Sequence, residues 1–264
     1  MEVIAEEKKI EEPKEIEEPK EAPEIIFTTT VLSIDIGMNN LAMYKECVNL
    51  DKVAQVKKLP PSLRYTDNGE CKPEMQKELD KLFQSGEKQW LDKVNITRAD
   101  DRMVGKIRKR RVVTNRMLLR LSDYLDKLKE EKVFDDVDTI IIEKQMKTNP
   151  NAQEIQYHIR SYFLFHYKED KDIIAFHSKY KTQILGCFKK KMNTKTNKMT
   201  KITKPQRKKW AEDKALTILS MRNDMNTVNF IFNINKGKSD DLSDCICQLQ
   251  AFIYLKYVMK CFEE

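Results

Sequence analysis

Three short β-branched runs constrain this chain most: Val31-Leu-Ser-Ile-Asp-Ile36, Val137–Ile142 (VDTIII) and Asp172–Phe176 (DIIAF). Each has strand length, and the segments between them carry apolar residues at helical spacing. Strands alternating with helices imply an α/β sheet with helical cover. Leu41–Val48 reads as a further strand, returning after a tight turn at Gly37-Met-Asn-Asn40. Helices fit Asp100 to Lys132, where Met117, Leu118, Leu121, Leu125 and Leu128 recur at three- and four-residue steps. They also fit Asn149-Pro150 to Tyr167, Ser178–Cys187, Pro205–Met221 and Ser239–Cys261. Residues 59–73 read as loop from their Pro and Asn-Gly content. Residues 74–131 read as helices, so 60–132 is expected to be a helical insertion within a smaller core.

Residues 1–26 hold ten Glu, four Lys and no aromatic residue. Such a segment buries too little to fold and is expected to be a disordered acidic tail. The remaining residues 27–264 fit one large domain. The tail has no apolar core of a signal peptide, and its acids exclude a mitochondrial transit peptide. No apolar run approaches the roughly 18–20 residues of a membrane span. Six cysteines without a CxxC pair, and three histidines, argue against a zinc site or a disulfide scaffold. A reducing, intracellular location is therefore expected, not a secreted one.

Outside the tail, 45 basic residues face 32 acidic ones. A body this basic calls for a polyanionic partner, of which nucleic acid is the common one. Residues 179–209 hold twelve Lys/Arg and no acid, and residues 102–120 hold eight and no acid. Lys179, Lys189, Lys190, Lys191, Arg207, Lys208 and Lys209 are the candidate phosphate contacts, although a Lys-rich run is often only a solvated face.

The candidate chemistry lies in acids placed where acids are costly. Asp35 sits inside an apolar strand, and Glu143 closes another. Asp241 and Asp244 stand three apart at the start of the last helix and share one face. Taken singly, each has a plain structural reading: a turn cap, a strand-end surface residue, or helix-capping acids. Together they would give four carboxylates around one cleft. Repulsion among them would be relieved by hard divalent cations such as Mg²⁺ or Mn²⁺. Two such ions suit phosphodiester hydrolysis.

Five blocks carry a resemblance to a known family. They are Ser33-Ile-Asp35-Ile-Gly37-Met-Asn-Asn40-Leu-Ala42, Ile-Ile-Glu143-Lys-Gln145 with the following Asn149-Pro150, Ser178-Lys-Tyr-Lys181-Thr-Gln-Ile-Leu-Gly186, Lys204-Pro-Gln-Arg-Lys-Lys209, and Lys238-Ser-Asp240-Asp241-Leu-Ser-Asp244. In this order they resemble the RuvC-type Holliday junction resolvases, closest to the poxvirus branch, and they cover roughly two fifths of the chain. Ser243 departs from the family's usual Ala. The resemblance implies an RNase H-like mixed sheet flanked by helices. It also implies a homodimer that makes paired nicks in four-way DNA junctions during recombination, replication or repair. Two Mg²⁺ ions per site would be held by Asp35, Glu143, Asp241 and Asp244, with Mn²⁺ as a substitute. Lys181 would act near the scissile phosphate, with Lys179 as fallback, and Lys208 and Lys209 are equal candidates for a second functional lysine. If the source is viral, the host cytoplasm or a viral replication site follows.

The helix to Tyr167 fits dimerisation, because Ile155, Ile159, Tyr162 and Phe163 make one stripe while Tyr157 and Leu164 lie elsewhere. An ATPase of the actin/Hsp70 kind shares the D-x-G strand. It would need glycine-rich phosphate loops later in the chain, and none is present, so no nucleotide cofactor is expected. The remaining alternatives are an RNase H-like nuclease for flaps or RNA–DNA hybrids, and a non-catalytic nucleic-acid-binding module.

Overall fold

A computed structural model describes residues 26–37, 39–98, 112–193, 197–234 and 239–262. The acidic tail up to residue 25, the 102–111 part of the basic run, and Met38, Lys195, Gly237 and Lys238 lie outside the described residues.

A five-stranded mixed sheet forms the centre, in the order β3-β2-β1-β4-β5. Its strands are β1 (Thr28–Asp35), β2 (Leu41–Asn49), β3 (Gly86–Val94), β4 (Thr139–Lys144) and β5 (Asp172–His177). β1, β2 and β3 pair antiparallel, whereas β1–β4 and β4–β5 are parallel. The β1–β2 turn is tight: a Cβ on Gly37 would lie 2.8 Å from the Asn40 carbonyl oxygen.

Strand alternation gives the sheet two apolar faces. Leu32, Ile34, Ile140 and Ile142 face α3 (Asn115–Glu130) and α4 (Pro150–Tyr167). Val31, Ala42, Tyr44 and Ile141 face the opposite layer, built from α2 (Pro73–Phe83), α6 (Lys204–Met221) and α8 (Ser239–Ile253). The shorter helices are α1 (Leu50–Ala54), α5 (Lys179–Ile184) and α7 (Met225–Val228). A small hairpin, β6 (Lys190–Asn193) with β7 (Lys198–Lys201), stands apart from the sheet.

The helix starts follow their local chemistry. Thr203 and Gln206 form a reciprocal capping box with Pro205 in the first turn of α6. Asn149 caps α4 ahead of Pro150, and Thr114 caps α3.

The expected helical insertion needs correction. Gly86–Val94 is a strand, and it forms the edge of the main sheet beside β2. Its charged residues obscure the alternation because an edge strand is half wetted, and its residues are intermediate or exposed rather than buried. The first described helical residue of the expected 100–132 helix is Asn115. The last helix gives way at Tyr254–Val258 to a π-helical turn, short of Cys261. The β6–β7 hairpin lies in what reads from sequence as a flexible Lys-rich segment.

A buried ion pair ties the layers together. Arg222, just past α6, makes two bonds to Glu46 of β2, at 2.7 and 2.9 Å. Gln250 of α8 donates to the same carboxylate at 2.8 Å. This satisfies a charge that would otherwise be strongly disfavoured in the interior.

Candidate active site

Period-two alternation places the two strand acids. Asp35 shares its face with Val31 and Ser33, and Glu143 shares its face with Ile141, so both look toward α8. The parallel register aligns Ile34 with Ile142, which puts Asp35 and Glu143 next to each other at the C-terminal ends of β1 and β4. Their carboxyls are hydrogen-bonded to each other.

α8 is held against this edge by one stripe. Cys245 donates to the Ala42 carbonyl oxygen at 3.3 Å, and Gln248 donates to Ser33 Oγ at 3.2 Å. Asp244 and Asp241 continue the same stripe toward the helix start, one turn and two turns before Gln248. Packing α8 onto β1 and β2 therefore delivers Asp244 to the strand acids.

Lys181 closes the group. It lies on α5, directly after β5, and is 7% exposed. Its Nζ is 3.2 Å from Glu143 Oε1 and 2.9 Å from Asp244 Oδ1. The other side of Glu143 is fixed by Gln145, whose Nε2 donates to Oε2 at 2.8 Å. Gln145 is fixed in turn through its backbone N–H, which donates to Gln156 of α4 at 2.8 Å. The fixing role of Gln145 and Gln156 depends on a strand-to-helix contact that no local pattern in the sequence announces.

The protonation pattern follows from this crowding. Burial, then the neighbouring Glu143, pushes the Asp35 carboxyl well above the usual carboxylate range. Burial also raises Asp244, even with Lys181 beside it. Burial acts on Glu143 in the same direction, but Lys181 and the hydrogen bonds from Asp35 and Gln145 outweigh it and hold Glu143 low. Burial opposes the charge on Lys181, but Asp244, Glu143 and Asp35 together hold its ammonium firmly protonated. The site thus pushes the Asp35 and Glu143 carboxyls in opposite directions, with Lys181 as counter-ion.

Asp241 lies one turn away, against Asp240, Lys93 and Lys208. Burial and Asp240 push its carboxyl up to about 6. Its Oδ2 is buried and has no hydrogen-bond partner among the described residues. A buried, unpartnered carboxylate oxygen is costly and suits a cation. The donor set is all hard oxygen, which fits Mg²⁺ chemistry. Among the described residues, however, no three Asp, Glu, His or Cys side chains form a ready-made metal pocket. The Lys181 ammonium stands between Glu143 and Asp244 instead.

The two lysines that the sequence leaves equal are placed differently. Lys208 pairs with Asp240 and adds positive charge near Asp241 and Asp244. Lys209 turns back to Asp213 on its own helix, at 2.9 Å. Lys179, Lys189, Lys190, Lys191 and Arg207 are all exposed. The stripe Ile155, Ile159, Tyr162 and Phe163 is buried against α3 and the sheet, whereas Tyr157 and Leu164 remain open on the outer face of α4. No described helix is long and apolar enough to cross a membrane.

No family model matches this sequence. Uncharacterized protein 170L of Invertebrate iridescent virus 6 is 36% identical over 139 residues, which is 48% of this chain and 55% of that protein. Uncharacterized protein 97L of Invertebrate iridescent virus 3 is 29% identical over 119 residues, 44% of this chain and 47% of that protein. The chain spans about half the length of these curated relatives. Among solved structures, the Fowlpox virus resolvase in complex with substrate Holliday junction DNA aligns over 89% of this chain and 100% of that one, at 15% identity and a TM-score of 0.43.

Proposed function

We propose that this protein is an RNase H-like, Mg²⁺-dependent endonuclease that resolves four-way DNA junctions as a homodimer. One observation carries the reading. Asp35, Glu143, Lys181 and Asp244, distant in sequence, gather at the C-terminal edge of the parallel strand pair. That edge is where ligands bind in open α/β sheets. A structural scaffold has no need for three carboxylates and a lysine crowded at this edge. An enzyme that must hold a phosphodiester and a cation does. The motif resemblance supplies the junction as substrate.

Asp35, Glu143, Asp241 and Asp244 would hold the ions. When bound, magnesium would supply Lewis acidity at the phosphate and favour ionisation of the attacking water. The chain's own residues do the rest. Lys181 turns from its carboxylates to the phosphate and stabilises charge that develops there. Gln145 keeps Glu143 aimed. Lys208 neutralises Asp240, so that the approaching phosphates meet less negative charge. The exposed lysines at 189–191 and Arg207 hold the backbone without reading sequence. Tyr157 and Leu164 offer an open apolar surface for the partner copy, which would place two sites against a two-fold junction.

The test is nicking of a labelled four-way junction with Mg²⁺, in the wild type and in Asp35→Asn, Glu143→Gln and Asp241→Asn. Each variant should lose cleavage and keep junction binding in EDTA. Retained cleavage by Asp35→Asn would overturn the assignment, and preferential cutting of flaps or RNA–DNA hybrids would replace the substrate. A monomer by sedimentation, both free and on junction DNA, would remove the dimer.

A further inference from the structure

A cavity of about 700 Å³ opens beside α5, one turn from Lys181, and it lies outside the carboxylate site. That size falls within the roughly 300–1,000 Å³ of small-ligand sites. Its apolar surface comes from Tyr65, Ile184, Phe188 and Ile202, all only half-buried. Its rim carries Lys189, Lys190, Lys201 and Arg207, and no Asp or Glu among the described residues lines it.

The cavity is a built feature. The root of the β6–β7 hairpin is clamped to the turn at Asn68. Lys189 N–H donates to the Asn68 carbonyl at 2.7 Å, Lys190 N–H to its side-chain oxygen at 2.9 Å, and Asn68 Nδ2 back to the Lys190 carbonyl at 3.1 Å. Two glycines with positive φ allow this approach: Gly69 (+93°) beside Cys187, and Gly186 (+78°) against Cys71.

The hairpin continues from the cavity rim. Lys190 pairs with Lys201, and Met192 pairs with Met199. Residues opposite each other in an antiparallel pair share a face, and alternate residues return to it. The two methionines therefore project on the same side as the cavity-lining lysines, and each is 50% exposed. A basic rim, an apolar floor and an apolar pair on the adjoining hairpin face match the chemistry of a nucleotide pulled out of its stack. Phosphates meet the lysines, the base meets apolar surface, and methionine is one of the side chains that wedge between base steps.

We propose that this cavity receives a nucleobase unstacked at the branch of the DNA, with Met192 and Met199 filling the gap it leaves. The inference rests on the junction reading above and adds to it a site for strand distortion.

The experiment uses the full chain in EDTA with four-way junctions that carry 2-aminopurine at successive positions around the branch. One position should brighten several-fold on binding. Met192→Ser/Met199→Ser should remove at least half of that rise and weaken junction binding about tenfold, with linear-duplex affinity within twofold of wild type. Both residues are exposed, so the double variant should fold. The absence of a rise at every position, or an undiminished rise in the double variant, would overturn the site. Nicking of the same junctions in Mg²⁺ without brightening in EDTA would sink this inference alone, and brightening in EDTA without nicking in Mg²⁺ would sink the nuclease reading alone.

Discussion

Lys181 Nζ lies 2.9 Å from Asp244 Oδ1, and this contact neutralises a carboxylate that burial would otherwise leave unpaired. The same ammonium reaches Glu143 at 3.2 Å. Lys181 is thus the internal cation of a site built from acids.

Removing that cation should expose the repulsion. Lys181→Met is expected to destabilise the metal-free protein by about 3–5 kcal/mol, the usual cost of removing one partner from a buried ion pair. Mg²⁺ should raise the melting temperature of the variant more than that of the wild type. Thermal unfolding in EDTA and in millimolar Mg²⁺ measures both. Equal metal responses in the two proteins would show that Lys181 and the ion do not share the carboxylates.

Asp241 gives a pH dependence. Its carboxyl is pushed up to about 6 from an ordinary value of 3.8. Between those values the folded state binds more protons than the unfolded state, so stability falls as pH rises through the window. The penalty is absent below about 4 and complete above about 6. Asp241 is partly solvated, and discounting for screening leaves about 1 kcal/mol. Asp241→Asn should therefore raise metal-free stability at pH 7 by about that amount and change little at pH 4. The difference between the wild-type and variant melting curves isolates Asp241 from Asp35 and Asp244, whose carboxyls are raised in the same direction.

The strands of the centre were legible because they are nearly continuous apolar runs, as parallel strands buried on both faces must be. Asp35 and Glu143 stood out as departures from those runs. Asp241 and Asp244 were legible as a pair, but their different environments were not. One spacing rule covers both, while Lys181 reaches only Asp244. β3 was missed because Glu87, Lys88, Asp92 and Lys93 break the alternation that an edge strand does not need. The β6–β7 hairpin was missed because its lysines read as solvent-facing chain. It is fixed by Asn68, over a hundred residues earlier. The roles of Gln145 and Arg222 have the same origin, since each acts on a partner that only the tertiary fold supplies.

The Glu46–Arg222 pair makes a prediction independent of the active site. Arg222→Ala leaves the Glu46 carboxylate buried without a counter-charge, held only by neutral partners such as Gln250 and Tyr44, and should cost about 3–5 kcal/mol in urea unfolding. Glu46→Gln combined with Arg222→Met should recover a large part of that loss, because it removes both charges. Gly86→Ala should also destabilise, since its Cβ would collide with the Glu46 carboxylate. If Arg222→Ala cost less than 1 kcal/mol, the pair would be no more than a surface contact.

Gln145 provides the sharpest division between positioning and chemistry. It touches neither Lys181 nor Asp244 among the contacts described, but its amide fixes the Glu143 oxygen that faces away from Lys181. Partners that orient a metal-binding carboxylate typically change metal affinity by 10–100-fold. Gln145→Leu should therefore raise the Mg²⁺ concentration for half-maximal nicking about tenfold. At saturating Mg²⁺ its rate should approach that of wild type, and junction affinity in EDTA should not change. Glu143→Gln should show no such rescue, because it removes the donor oxygen itself. A Gln145→Leu rate that stays low at every Mg²⁺ concentration would mean that the amide acts on the substrate directly and not through Glu143.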